Sequence, residues 1–177
     1  MRLSEKGYTL VELLIAITIM ALASTGASAA IFQIFNTIER NNNRITVVFQ
    51  VQYAGSWISD DAQMAHTVTA ANLTPPYFLH LGWTQWDDSG EPTDHSIRYF
   101  FEDLSDGIGK LKRNHFSTSG INEETLIAEY MYYDPGSVNN TSSASYLDSV
   151  LTVRLAAHFE ETVETREYRI KHRAELN

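Results

Sequence analysis

With 177 residues, 44% of them hydrophobic, and a net charge of −9, the chain is sized for one domain plus an anchor. Its acidic excess lies almost wholly after residue 58, which argues against nucleic-acid binding, a function that needs clustered Lys and Arg; Lys110-Leu111-Lys112-Arg113 is too short and isolated to reverse this. The absence of cysteine excludes a disulfide framework, thiolate catalysis and Cys-based zinc sites.

Arg2 and Lys6 flank a short polar leader, and an apolar run follows. The 23 residues from Leu13 to Phe35 carry no charge. As helix they extend about 34 Å, enough to span a hydrocarbon core. A secretory signal peptide opens in the same way, and Ala27-Ser28-Ala29 imitates a cleavage site, but its apolar region is only about 7–15 residues long. Glu12 sits just inside the apolar run. Insertion of an acidic residue at mid-helix costs roughly 2.5–3.5 kcal/mol, so an ionisable group there reads as functional.

After the polar stretch Glu39 to Arg44, Val47, Val51, Ala54, Ile58, Ala62 and Ala65 recur at spacings of three and four, one stripe of an amphipathic helix. Asp60, Asp61 and Gln63 fall off the stripe, and Thr74-Pro75-Pro76 ends it. The pattern predicts one nearly continuous helix from Tyr8 to about Ala70, with bending or fraying at Gly26, Asn41 to Asn43 and Gly55.

Lys6-Gly7-Tyr8-Thr9-Leu10-Val11-Glu12-Leu13-Leu14 resembles the prepilin processing site of type IV pilins and of the pseudopilins of type II secretion systems. The resemblance implies that a prepilin peptidase cuts after Gly7 and methylates Tyr8 as the new N-terminal residue. Tyr8 stands where the family usually has phenylalanine and keeps the aromatic ring. Cleavage would leave an amine about four residues, roughly 6 Å along the helix, from the Glu12 carboxylate. In a filament of packed helices, the amine of one subunit would neutralise Glu12 of its neighbour, since an unpaired charge in low dielectric is strongly penalised. A Glu12 that snorkels to the membrane edge without a partner is the plainer alternative.

From Tyr77 onward the period moves toward two. Ile97, Tyr99 and Phe101 alternate within a strand, Asp103 to Gly107 is a turn, and Lys110 to Arg113 returns. Leu126 to Tyr133 is a further strand, stopped by Asp134-Pro135-Gly136. Val150 to Phe159 alternates most clearly, and a turn at Glu160 to Thr162 leads to a last strand, Glu164 to Lys171, with Tyr168 and Ile170 facing the core. Ser137 to Ser149 is polar and reads as a mobile loop. An antiparallel sheet of four or five strands packed on the helix stripe makes the fold class α+β. The layout is a leader at 1–7, a membrane helix at 8–36, its amphipathic continuation at 37–71 and a β-rich domain at 72–177.

No catalytic constellation emerges. His66, His80, His95, His115, His158 and His172 fall on different elements without metal-binding spacing, and no nucleophile elbow or phosphate-binding glycine loop is present. Asp87, Asp88, Glu91 and Asp94 gather oxygen donors around Gly90, a composition that suits Ca²⁺. They lack EF-hand spacing, and an acidic surface loop is the simpler reading. The aromatic stretch holding Tyr77, Phe78, Trp83 and Trp86 reads as packing, with a partner-binding surface as the alternative.

The expected role is therefore a non-enzymatic structural subunit without a required cofactor. It would belong to a type IV pilus-like filament or type II secretion pseudopilus. Within the family the resemblance points to, the lack of a C-terminal cysteine pair fits a pseudopilin or minor pilin. The long extra-membrane helix with the late strand pair ending in Arg169-Ile170-Lys171-His172-Arg173 is similar to the larger minor pseudopilins. Its partners would be the prepilin peptidase, other pilins or pseudopilins, the inner-membrane assembly machinery and the membrane, with no direct nucleic-acid binding. Arg2 and Lys6 would keep the leader cytoplasmic and place the β-domain outside. The rival is a membrane-tethered extracytoplasmic binding or enzymatic domain with an unprocessed signal anchor.

Overall fold

The computed structural model describes residues 9–71, 73–137 and 141–171. They divide into two compact units, one ending at Asn42 and one beginning at Asn43. Helix α1 spans Leu10–Met64 and is followed by eight strands: β1 Thr67–Thr69, β2 Tyr77–Trp86, β3 Pro92–Ser105, β4 Ile108–Ser117, β5 Asn122–Tyr132, β6 Ser143–Leu147, β7 Val150–Phe159 and β8 Thr162–Lys171. A long apolar helix with an antiparallel sheet makes the fold α+β.

In the first unit every described residue is exposed, including large apolar side chains such as Leu10, Leu22, Phe32 and Phe35. The helix is long and apolar enough to cross a membrane. Four of its hydroxyls bond back within the helix: Thr18, Thr25, Ser28 and Thr37 donate to the carbonyls of Leu14, Ala21, Ser24 and Gln33 at 2.8–2.9 Å. Hydrocarbon offers no alternative partner, so this back-bonding suits the helix to lipid.

In the second unit, Val47, Val51, Ala54, Ile58, Ala62 and Ala65 are all buried, as the stripe requires. They join Leu79, Leu81, Ile97, Tyr99, Phe101, Leu111, Met131, Leu151, Val153 and Leu155 in one core. Burying each large apolar side chain stabilises the fold by about 1.5–3 kcal/mol.

The eight strands run in the order β1-β2-β3-β4-β5-β7-β6, with β8 on β7. Antiparallel hairpins join β2 to β3, β3 to β4, β4 to β5, β6 to β7 and β7 to β8. Asp106 and Gly107, with φ of 51° and 80°, form the two-residue turn between the paired Ser105 and Ile108. Two successive positive φ values match the right-handed twist of the flanking strands. Asp148 and Ser149 do the same between β6 and β7. The β7–β8 hairpin pairs Val150 through Phe159 with Lys171 through Thr162.

Four expectations change. The helix stops at Met64 rather than near Ala70, because the chain turns into the sheet: His66 N–H donates to the Gly82 carbonyl at 2.8 Å, and Thr67–Thr69 pairs with β2. The sheet has eight strands rather than four or five. Within the supposed loop of residues 137–149, Ser143–Leu147 is strand β6, held along β7. The helix does not fray at Gly55, which lies inside it and is buried, and a Cβ there would overlap the Tyr168 ring.

Candidate functional site

The start of α1 is closed by a reciprocal pair of side-chain bonds. Thr9 N–H donates to Glu12 Oε2 at 2.9 Å, and its hydroxyl donates to the same oxygen at 3.0 Å. Glu12 N–H donates back to Thr9 Oγ1 at 3.3 Å, while Leu13 N–H makes the first helical bond to the Thr9 carbonyl at 3.2 Å. This is a capping box: Thr9 is the N-cap and Glu12 the third helical residue. It satisfies amide donors that a helix start otherwise leaves bare, and it places a carboxylate at the positive end of the helix dipole.

Glu12 therefore has a partner inside the chain. The signal was present in the sequence as Thr9-Leu10-Val11-Glu12 directly before the apolar run. Thr9 uses Oε2 for both of its donors, and a carboxylate offers a second oxygen to further donors. Gly7 and Tyr8, the processing residues of the resemblance, lie outside the described residues, as do Arg2 and Lys6.

The acidic candidates of the β2–β3 hairpin do not converge. Asp87 Oδ1 accepts from Ser89 N–H at 2.9 Å, the Ser89 hydroxyl at 2.6 Å and Glu91 N–H at 2.8 Å. The Ser89 hydroxyl and the Glu91 amide hold its carboxyl below the ordinary carboxylate range. Asp94 accepts from the Thr84 hydroxyl across the hairpin at 2.7 Å. Asp88 and Glu91 are exposed. Among the described residues no group of three or more His, Asp or Glu side chains is arranged to hold a metal ion.

Two clusters escape a linear reading. Asp61, expected off the stripe, is 3% exposed and receives the Arg113 guanidinium in a fork, Nε to Oδ2 at 2.7 Å and Nη2 to Oδ1 at 2.9 Å. The Tyr99 hydroxyl donates to the same carboxylate, and Arg113 lies over the Trp57 ring at 5.3 Å. Burial and the adjacent Asp61 carboxylate push the Tyr99 phenol far up.

The second cluster brings His95 and His115 together. His95 Nδ1 and His115 Nε2 are 3.1 Å apart, and Trp83 stacks on His95 at 4.9 Å. Burial and the neighbouring Arg113 hold His115 below its ordinary pKa. The remaining histidines stay apart: His80 meets Ser96 at 2.8 Å, and His158 stacks on Tyr132 at 4.5 Å. His172 lies outside the described residues. Neither cluster combines a nucleophile, a base and a cleft; both sit on the core-facing side of β3 and β4.

Residues 2–28 match the family model of the prokaryotic N-terminal methylation motif. No curated protein and no solved structure matches the chain.

Proposed function

We propose that this chain, which carries the N-terminal methylation motif of type IV pilins and pseudopilins, is a structural subunit of a pilus-like filament or secretion pseudopilus. One observation carries the reading: the motif at residues 2–28 overlaps the apolar first part of α1, whose described residues 9–42 are all exposed. A prepilin peptidase cuts after Gly7 and methylates Tyr8. The apolar helix holds the subunit in the inner membrane, with the β-domain outside, and later packs among the helices of other subunits. Glu12 keeps one oxygen on the Thr9 cap and accepts the N-terminal amine of a neighbour through the other. The lack of a cysteine pair favours a minor place in the filament.

Co-expression with a prepilin peptidase should shorten the chain by residues 1–7 and add one methyl group, as read by intact mass. Gly7→Ala should retain the leader, and an unchanged mature mass in that variant would overturn the processing step. Glu12→Val should be processed yet recovered from sheared filaments at well below wild-type yield. Equal incorporation would rule out the neutralising role.

A further inference from the structure

The face of the sheet turned away from α1 carries an open depression of about 400 Å³ across β3, β4 and β5, with Tyr77 of β2 at its margin, within the range of small-ligand sites. The strand registers lay out its floor. Arg98 pairs across to Asn114, and Asn114 to Glu124. On one side of that row Ser96 stands opposite Phe116, which pairs on to Asn122; on the other side Phe100 is packed by Tyr77 at 5.5 Å. Two residues along a strand are about 7 Å, so a ring flanks the Arg98–Asn114 row on either side.

The charges in this depression are unevenly matched. Glu124 is bound to Lys112 at 2.7 Å, and Lys112 also holds Glu102. Among the described residues no carboxylate pairs with Arg98, although the chain as a whole is at −9. An exposed guanidinium between two rings, with amides beside it, is built to take a carboxylate in a fork while an apolar surface lies against the rings. The backbone amides and carbonyls under it are consumed in the β2–β3–β4–β5 ladders. An extended peptide, which a sheet captures through backbone bonds at its edge, gains nothing there. A sugar ring presents C–H groups to an aromatic face and hydroxyls to Asn and Ser side chains.

We propose that this outer face is a binding site for an acidic oligosaccharide. The uronate carboxylate sits on Arg98 and a pyranose face on Phe116. The hydroxyls sit on the remaining donors and acceptors of the Asn114–Asn122 pair, in which Asn114 donates to Asn122 at 3.4 Å, and of Ser96, which also meets His80 at 2.8 Å. The site is independent of the filament role, since it uses no residue of the N-terminal helix.

The test is calorimetric titration of the full-length chain in mild detergent with a galacturonic acid trimer, against the neutral galactose trimer and an acidic peptide of equal charge. Saturable binding of the uronate is expected, with at least tenfold weaker binding of the neutral trimer and of the peptide. Arg98→Ala and Phe116→Ala should each weaken uronate binding at least tenfold while leaving the melting temperature unchanged, because both side chains are exposed. If either variant melts early, Asn122→Ala, also at an exposed position, should show the same loss of binding. Absence of saturation, uronate binding indifferent to Arg98→Ala, or equal binding of the peptide would each overturn the proposal.

Discussion

Removing either member of the Asp61–Arg113 pair strands the other in the core. The fork seats one turn of the helix on β4, with the Tyr99 hydroxyl completing the carboxylate's shell. An uncompensated buried charge typically costs about 3–5 kcal/mol, whereas replacing a whole buried ion pair by apolar groups is often neutral. Asp61→Ala should therefore lower the urea stability of the full chain in mild detergent by that amount. The triple variant Asp61→Leu, Arg113→Met, Tyr99→Phe should recover most of the loss; a single variant as stable as wild type would show that the pair carries no such weight. At Gly55 the constraint is space. Tyr168 covers the helix there and donates its hydroxyl to the Val51 carbonyl at 3.1 Å. Gly55→Ala should cost about 1–3 kcal/mol by overpacking. The penalty should shrink when Tyr168→Ala is already present, because residues in contact do not contribute additively.

At the scale of the elements, the strands carry three histidines held below their ordinary pKa of 6.5, each chiefly by burial: His80 on β2, His115 on β4 and His158 on β7. The unfolded chain binds more protons than the folded one between those lowered values and 6.5, so their neutral forms favour folding above 6.5. Stability contributed there is lost as the pH falls through the lowered values. The melting temperature of the β-domain should drop between pH 7.5 and 5.5, above the carboxylate range, and Gln at His115 should flatten that dependence. A pH-independent melting temperature over this window would contradict it.

Which strands were legible follows from their surroundings. Buried Leu151, Val153 and Leu155 alternate with half-exposed neighbours before the buried pair Ala156 and Ala157, so the bounds of β7 could be read from the sequence. A register shift between Tyr77 and Leu79 buries Phe78 and Leu79 side by side, and that hid the alternation of β2. Every described side chain of β6 but Ala144 is exposed, so the strand exists only because β7 offers it a ladder.

For the whole molecule, the described residues from 9 to 42 bury nothing within the chain, and the core lies entirely after Asn43. A fragment of residues 43–177 should fold in water without detergent and melt in one cooperative transition near that of the full chain. A fragment with helical and strand signals but no cooperative melt would show that the membrane helix is needed for the core.

The sequence by itself determined the anchor, the methylation motif and the stripe that meets the sheet, because each is a local pattern: an uncharged run, a short processing site, a period of 3.6. The capping box at Thr9 and Glu12 was equally local and could be read the same way. Only the tertiary structure decided the rest. Asp61 and Arg113 are 52 residues apart, Trp83, His95 and His115 sit on three strands, and the Arg98 depression is assembled from four. Antiparallel register brings such residues together, and register is set by bulges and turns whose effect accumulates over the whole sheet rather than by any single segment.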